Sequence, residues 1–172
     1  MSNFEQYQLA PQVGKKFRIK TRRSSHGGFT LLEVMITSAV LGVLVAIAVP
    51  TMVRARESAE NGAFIANLRT ASGAFFQYYA ATGAFPPTTG AGSLPAGMSD
   101  YLGTFPWAAE TGIGGQWAWD NDINGYKAGV AVVAPAISSA RLQKIDSTID
   151  DGNLATGQFR SRPGGCVLVM HE

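Results

Sequence analysis

The sequence predicts an α+β protein: a long N-terminal helix, apolar in its first half and amphipathic in its second, packed on a small antiparallel sheet of three or four strands. Three observations predict it. Residues 29–49 are almost wholly apolar, with Glu33 as their single charge. Beyond Pro50, the apolar residues Phe64, Leu68, Ala71, Phe75 and Tyr78 recur at spacings of four, three, four and three, the period of one helix face. Toward the C-terminus, two pairs of strand-like runs each flank a cluster of turn residues.

At 172 residues the chain fits one domain with appendages. Its hydrophobic fraction of 46% can supply a core, and its charged fraction of 15% is sparse for a freely soluble protein. The net charge of +2 conceals an asymmetry. Residues 1–28 hold six basic side chains against Glu5, a net +5, and the remainder holds eight basic and eleven acidic, a net −3. A basic front followed by an apolar run is a targeting pattern. The mildly acidic remainder argues against nucleic acid as a partner. Cys166 is the one cysteine, which excludes an internal disulfide and a thiolate metal cluster.

Residues 1–14 are polar without a clear period and read as a flexible arm. Residues 15–28, KKFRIKTRRSSHGG, are basic and end in two glycines. As a helix, residues 29–49 would extend ~31 Å, close to the ~30 Å of a bilayer's hydrocarbon core. The basic residues on their N-terminal side should stay cytoplasmic and place the C-terminus outside. Pro50 is expected to kink the helix or mark a joint, and Gly42 weakens the same stretch. The helix should continue to about Ala81 and end at Gly83, with Pro86 and Pro87 beyond. Residues 81–115, rich in Gly, Pro, Ser and Thr, read as a loop with one helical turn near 100–102.

Residues 116–120 alternate, with Trp117 and Trp119 on one face, and 126–133 read as the partner strand across a turn at 121–125. Residues 137–149 have helical spacing and stop at Asp150-Asp151-Gly152. Residues 157–162 and 166–171 flank Pro163-Gly164-Gly165 as a second hairpin. The predicted organisation is thus a leader at 1–28, a membrane helix at 29–50, an amphipathic helix at 51–82 and a globular head at 83–172.

A carboxylate such as Glu33, one or two turns inside an apolar segment, is costly when ionised and calls for a partner. Gly28, lacking a side chain, lets the backbone enter a narrow peptidase cleft. The run Gly28-Phe29-Thr30-Leu31-Leu32-Glu33, between a basic leader and an apolar helix, resembles the prepilin signal of type IV pilins and type II secretion pseudopilins. The resemblance covers residues 20–50, and Gly42 and Pro50 fall where such subunits carry a helix-breaking glycine and proline. It implies a pilin-like fold, cleavage between Gly28 and Phe29 by a prepilin peptidase, and N-methylation of Phe29. It further implies an inner-membrane assembly platform with an ATPase, and partners that are copies of this chain and other pilin-like subunits. The implied location is the bacterial inner membrane, N-terminus cytoplasmic and head outside, then a periplasmic or surface filament.

Cleavage after Gly28 would create a cationic amine at Phe29. In a staggered bundle, Glu33 of one subunit can meet that amine on its neighbour. Mutual neutralisation in a low dielectric favours one register, because a slip strands both charges. Two rival readings are an ordinary signal anchor, with Glu33 snorkelling to water, and a secretory signal cut after Ala46-Ile47-Ala48. Neither explains both glycines, Phe29 and Glu33 together.

Major type IV pilins usually close a C-terminal loop with two cysteines, and a lone Cys166 departs from that pattern. Residues 83–89 are similar to the aromatic-Pro-Thr-Thr loop of major pseudopilins, while the Trp-rich segment 114–126 matches no major-subunit pattern. The reading is therefore a structural, non-enzymatic pseudopilin. The alternatives are a type IV pilus minor pilin and a monomeric, membrane-anchored binding module that uses its Trp-rich loops.

The other candidate sites each have a plainer reading. Asp120, Asp122 and Asn124 match the front half of a calcium loop with Gly125 at its sixth position. Ala131 stands where the closing glutamate belongs, which rules out an EF-hand. The competing reading is a hairpin turn using residues that tolerate positive φ. Asp146, Asp150 and Asp151 gather at a helix C-terminus, where acids oppose the helix dipole and invite a cation or an arginine; solvated acids beside a capping glycine is the plainer reading. Trp117, Trp119 and Tyr126 are either an interaction patch or core, the alternation favouring core. Cys166 reads as a buried strand residue. His26 lies in the leader and His171 is penultimate, and no Ser/His/Asp set, Cys/His pair or phosphate loop suggests an enzyme.

Overall fold

A computed structural model describes residues 27–172, so the leader as far as His26 lies outside the described residues. The chain divides into two compact units between Val43 and Leu44, and helix α1 (Leu31–Thr82) contributes to both. In the first unit α1 exposes its apolar side chains, Leu31, Val34 and Leu41 among them. Its most apolar 18-residue window has mean hydropathy 2.4 with no residue buried, so by length and composition the helix can cross a membrane. The helix continues through Pro50, so the proline does not end it. The Thr51 hydroxyl there donates to the carbonyls of Ile47 at 3.2 Å and Ala48 at 2.8 Å.

In the second unit, α1 buries Phe64, Leu68, Ala71 and Phe75, the predicted stripe, together with Asn61, Ile65, Ser72 and Ala74. Gly83, at φ 77°, follows its last residue, the left-handed conformation in which helices commonly end. The stripe packs on a four-stranded antiparallel sheet of order β1-β2-β4-β3. The strands are β1 (Gln116–Ile123), β2 (Tyr126–Val133), β3 (Phe159–Arg162) and β4 (Gly165–His171). Aromatic stacking joins the two layers. Phe75 lies on Trp119 with ring centroids 3.8 Å apart, and Phe64 on Trp117 at 5.7 Å. Fully burying one such ring contributes about 1.5–3 kcal/mol, so two ring pairs account for much of the attachment of α1 to the sheet.

The first hairpin is tighter than the expected turn at 121–125. Strand β1 runs on to Ile123, which pairs with Tyr126 and leaves Asn124-Gly125 as a two-residue loop. Both loop residues have positive φ, 55° and 87°, the type I′ geometry that matches strand twist. In the second hairpin Arg162 pairs with Gly165, so Pro163-Gly164 alone forms the turn and Gly165 belongs to β4. A Cβ at Gly165 would stand 1.9 Å from the Val132 carbonyl oxygen, so only glycine fits there.

Residues 83–115 are a loop that is held in place. Its single helical turn is α2 (Ser99–Leu102), as expected near 100–102. Thr89 and Gly92 donate backbone bonds to the carbonyls of Trp119 and Trp117, which covers the open edge of β1. Trp119 Nε1 donates to Pro86 O at 2.8 Å and Trp107 Nε1 to Ser93 O at 3.0 Å. Buried indole N–H groups thereby find partners and fix the loop. Helix α3 (Ser139–Ile149) crosses from β2 to β3, with Ser138 as its N-cap accepting from Arg141 N. It docks on α1 through Arg141, which reaches Glu60 at 3.0 Å and Asn61 at 2.7 Å, and through Lys144 to Glu57 at 3.2 Å.

Candidate functional site

At the N-terminal end, Gly27 to Thr30 precede the first turn of α1 as exposed, non-helical chain, with Phe29 82% exposed. Glu33 is in that first turn. Its backbone N–H donates to Thr30 Oγ1 at 3.2 Å, and Thr30 N donates to Glu33 Oε2 at 3.4 Å. This reciprocal pair is a capping box, which the sequence reading missed although Thr30-x-x-Glu33 is its signature. Glu33 thus has a role inside its own chain, and an acid here also complements the positive helix end. The Gly28-Phe29 bond lies just outside the helix, in exposed backbone. Gly42 lies within α1, and a Cβ there would meet nothing within 4 Å.

The head takes the half calcium loop apart. Asp120 is buried, and its carboxylate accepts from the Tyr126 hydroxyl at 2.5 Å and pairs with Arg162 Nη1 at 3.1 Å. Asp122 is exposed and pairs with Lys127 at 2.8 Å. Asn124 is in the β-turn. Both carboxylates therefore already have a cationic partner, and the three residues serve a hairpin and an ion pair. Burial, and then the Asp120 carboxylate beside it, push the Tyr126 hydroxyl well above the usual phenol range. Trp117, Trp119 and Tyr126 are all buried. The two indoles are core rather than an exposed patch, and Tyr126 packs on the opposite sheet face with Ala118, Ala131, Val167 and Val169. The Arg162 partner was not visible beforehand, because forty-two positions separate it from Asp120. Burial pushes the Cys166 thiol up to about 12, which leaves it unreactive as a nucleophile.

The acids that end α3 do converge. Asp146, Asp150 and Asp151 each place a carboxylate oxygen within 4.8 Å of the others. Asp150 caps α3 and is encircled by the following loop: its carboxylate accepts from the backbone N–H of Asp151 at 2.7 Å, Phe159 at 3.2 Å and Gln158. A Cβ at Gly157 would stand 2.3 Å from that carboxylate, and Gly157 has φ 76°, so glycine permits the wrap. Against the opposing cost of burial, the neighbouring Asp146 carboxyl and these N–H donors hold Asp150 below the usual carboxylate range. Asp146 is fully buried, and neither of its oxygens has a hydrogen-bond partner. Burial first, and then Asp150, raise its carboxyl to about 7.

Comparison with known proteins bears on the N-terminal segment. Residues 23–49 match the family model of the prokaryotic N-terminal methylation motif. Among solved structures, the chain is similar to the major Type IV pilin PilA1 from Clostridium difficile, at 14% identity over 67% of this chain and 97% of that one, with a TM-score of 0.48. No curated protein matches it. The methylation motif spans the glycine pair, Phe29, Glu33 and the apolar start of α1, and the head behind it is a helix packed on a four-stranded antiparallel sheet. The chain therefore joins a prokaryotic N-terminal methylation motif to an α+β head.

Proposed function

We propose that this chain is the precursor of a structural filament subunit of the type II secretion pseudopilin kind. The observation that carries the proposal is a methylation motif joined directly to a helix whose apolar window is not buried by any of the described residues. Such a surface needs lipid or neighbouring helices to cover it. In this reading residues 1–28 are removed by a prepilin peptidase and Phe29 becomes the methylated N-terminus. Residues 29–50 leave the membrane for the filament core, and the heads tile the outside. Assembly draws on an inner-membrane platform. The basic leader keeps the N-terminus cytoplasmic until cleavage.

Glu33 then changes partners. In the precursor it caps its own helix; in the filament it neutralises the Phe29 amine of the next subunit. Gly42 and Pro50 are the points at which the packed helices can adjust. The lone, buried Cys166 favours a pseudopilin over a major pilin with a closed C-terminal disulfide loop. A type IV pilus minor pilin is the nearest alternative, and loss of secretion rather than of pili on deleting the gene separates the two. A monomeric binding module loses its basis with Trp117 and Trp119 in the core.

The test is intact mass and N-terminal sequencing of membrane-extracted protein, with and without a co-expressed prepilin peptidase. A peptidase-dependent N-terminus at Phe29 carrying one added methyl is the expected result. An uncut Met1, or an N-terminus after Ala48, would overturn the proposal. In cells, Glu33→Ala should be processed yet excluded from filaments.

A further inference from the structure

We propose that Asp146 and Asp150 share one proton and act as a pH-operated latch on the head. With the proton in place, the loop from α3 to β3 is held on the helix end; without it, the loop loosens. The geometry carries this. Asp146 is fully buried, and neither of its oxygens has a hydrogen-bond partner. Oxygens of Asp146, Asp150 and Asp151 lie within 4.8 Å of one another. The Asp150 carboxylate accepts three backbone N–H bonds, from Asp151, Gln158 and Phe159. Of the roughly four lone-pair sites of a carboxylate, one is left to accept an O–H from Asp146.

No cation stands in for that proton. None of the ion pairs among the described residues includes the three acids. Around α3, Lys144 and Arg141 are paired with Glu57 and Glu60 of α1. On β3, Arg160 is paired with Glu172 and Arg162 with Asp120. Arg69 of α1 lines a groove beside Ile149 and Gln158 and belongs to none of these pairs. Asp151 adds further negative charge, its oxygens held by Asn153 N at 2.8 Å and Thr156 Oγ1 at 2.7 Å. Carboxyls this close, one of them buried, release their protons in separate steps.

Loss of the shared proton sets two charges side by side at the C-terminal end of α3, where the helix dipole also opposes them. Admitting water relieves this, and the loop is the part that can give. It runs through exposed Asn153, Ala155 and Thr156, between Gly152 and Gly157, both at positive φ. Gln158, whose backbone N–H holds Asp150, also lines the groove of about 210 Å³ between α1 and β4, with Leu68, Arg69 and Leu168. The latch therefore sets the shape of that groove. Burial first, and then Asp150, raise the Asp146 carboxyl from its ordinary 3.8 to about 7. Between those values the folded chain keeps a proton that the unfolded chain has released. The stability Asp146 contributes is thus fully present below 3.8 and is lost as pH rises to about 7.

The test uses the full chain in detergent micelles, with a chelator present throughout. Carbon NMR of the aspartate carboxyls should show one group titrating near 7 in the wild type. That group should be missing from Asp146→Asn, whose amide still donates to Asp150 but carries no titrating proton. Protection of the Gln158 and Phe159 amides against hydrogen exchange should fall at least tenfold across the same step in the wild type and hold in Asp146→Asn. Melting temperature, read by tryptophan fluorescence, should move in favour of Asp146→Asn as pH rises toward 7 and then keep a constant difference. A wild type with no carboxyl titrating near 7 would overturn the latch, and so would equal pH dependence of exchange in the two proteins. The wild-type titration needs no variant, so misfolding of Asp146→Asn would leave it decisive. None of these outcomes depends on whether the chain enters filaments.

Discussion

Replacing Arg162 by methionine would leave the Asp120 carboxylate buried with the Tyr126 hydroxyl as its one remaining partner. The Asp120 and Arg162 side chains are 3% and 11% exposed, and their closest atoms are 3.1 Å apart. Removing one member of a buried ion pair typically costs about 3–5 kcal/mol, because the other charge stays desolvated. The lower end applies here, since the bond from Tyr126 to a charged acceptor, worth about 1.5–3 kcal/mol, survives. For a chain of this length each kcal/mol moves the melting temperature by about 2–4 °C, so Arg162→Met should lower it by roughly 6–12 °C. Asp120→Asn strands the guanidinium instead and should cost a similar amount. The double variant carries neither charge, and the amide oxygen that replaces the carboxylate can still accept from Tyr126. It should be more stable than the sum of the single changes predicts by about 2–3 kcal/mol. The assay is urea unfolding of the full chain in micelles, followed by tryptophan fluorescence. If the single effects add to within about 0.5 kcal/mol, the two groups do not form a pair in solution and the account of this sheet face fails.

Three further outcomes concern Glu33, Cys166 and Glu60. Glu33→Gln keeps a capping residue three positions after Thr30 but removes the charge, so helix content should be retained while filament incorporation, read by shear-fraction immunoblot, is lost; normal incorporation would show that charge neutralisation is not what Glu33 supplies. Cys166, fully buried with its thiol pushed up to about 12, should react with a disulfide reagent at least tenfold more slowly in the folded chain than in urea, and equal rates would contradict its burial. Hydrogen bonds from Arg56 and Arg141 hold Glu60 below its usual 4.5. The unfolded state therefore binds more protons as pH falls, so this contribution is present above 4.5 and is lost as pH drops through the depressed folded value. The melting-temperature difference between wild type and Glu60→Gln should shrink in acid, and a constant difference would refute the pairing.

Much of the architecture was legible because periodicity is local. The stripe from Phe64 to Phe75, the strands around Asn124-Gly125 and Pro163-Gly164, and the stop of α3 at Asp150 each follow from residues within a few positions of one another. The Thr30–Glu33 cap is equally local, since its Thr-x-x-Glu spacing lies within four positions. The half calcium loop misled for the converse reason. An alternating Asp-x-Asp-x-Asn pattern serves a metal loop or a hairpin strand equally well, and in a strand alternation sends neighbouring carboxylates to different surroundings.

By itself, the sequence determined the basic segment before Gly28, the membrane-length apolar run with one acid, and an α+β head. These rest on composition and on spacings of four residues or fewer, which survive without knowledge of the fold. Tertiary structure alone decided that Asp120 meets Arg162, that Trp119 lies on Phe75, and that Asp146 is buried beside Asp150 and Asp151 without a donor. The first two are contacts between residues more than forty positions apart, and the third is a matter of what covers a helix end. Charge pairing and desolvation depend on distance in space, which only the packed chain fixes.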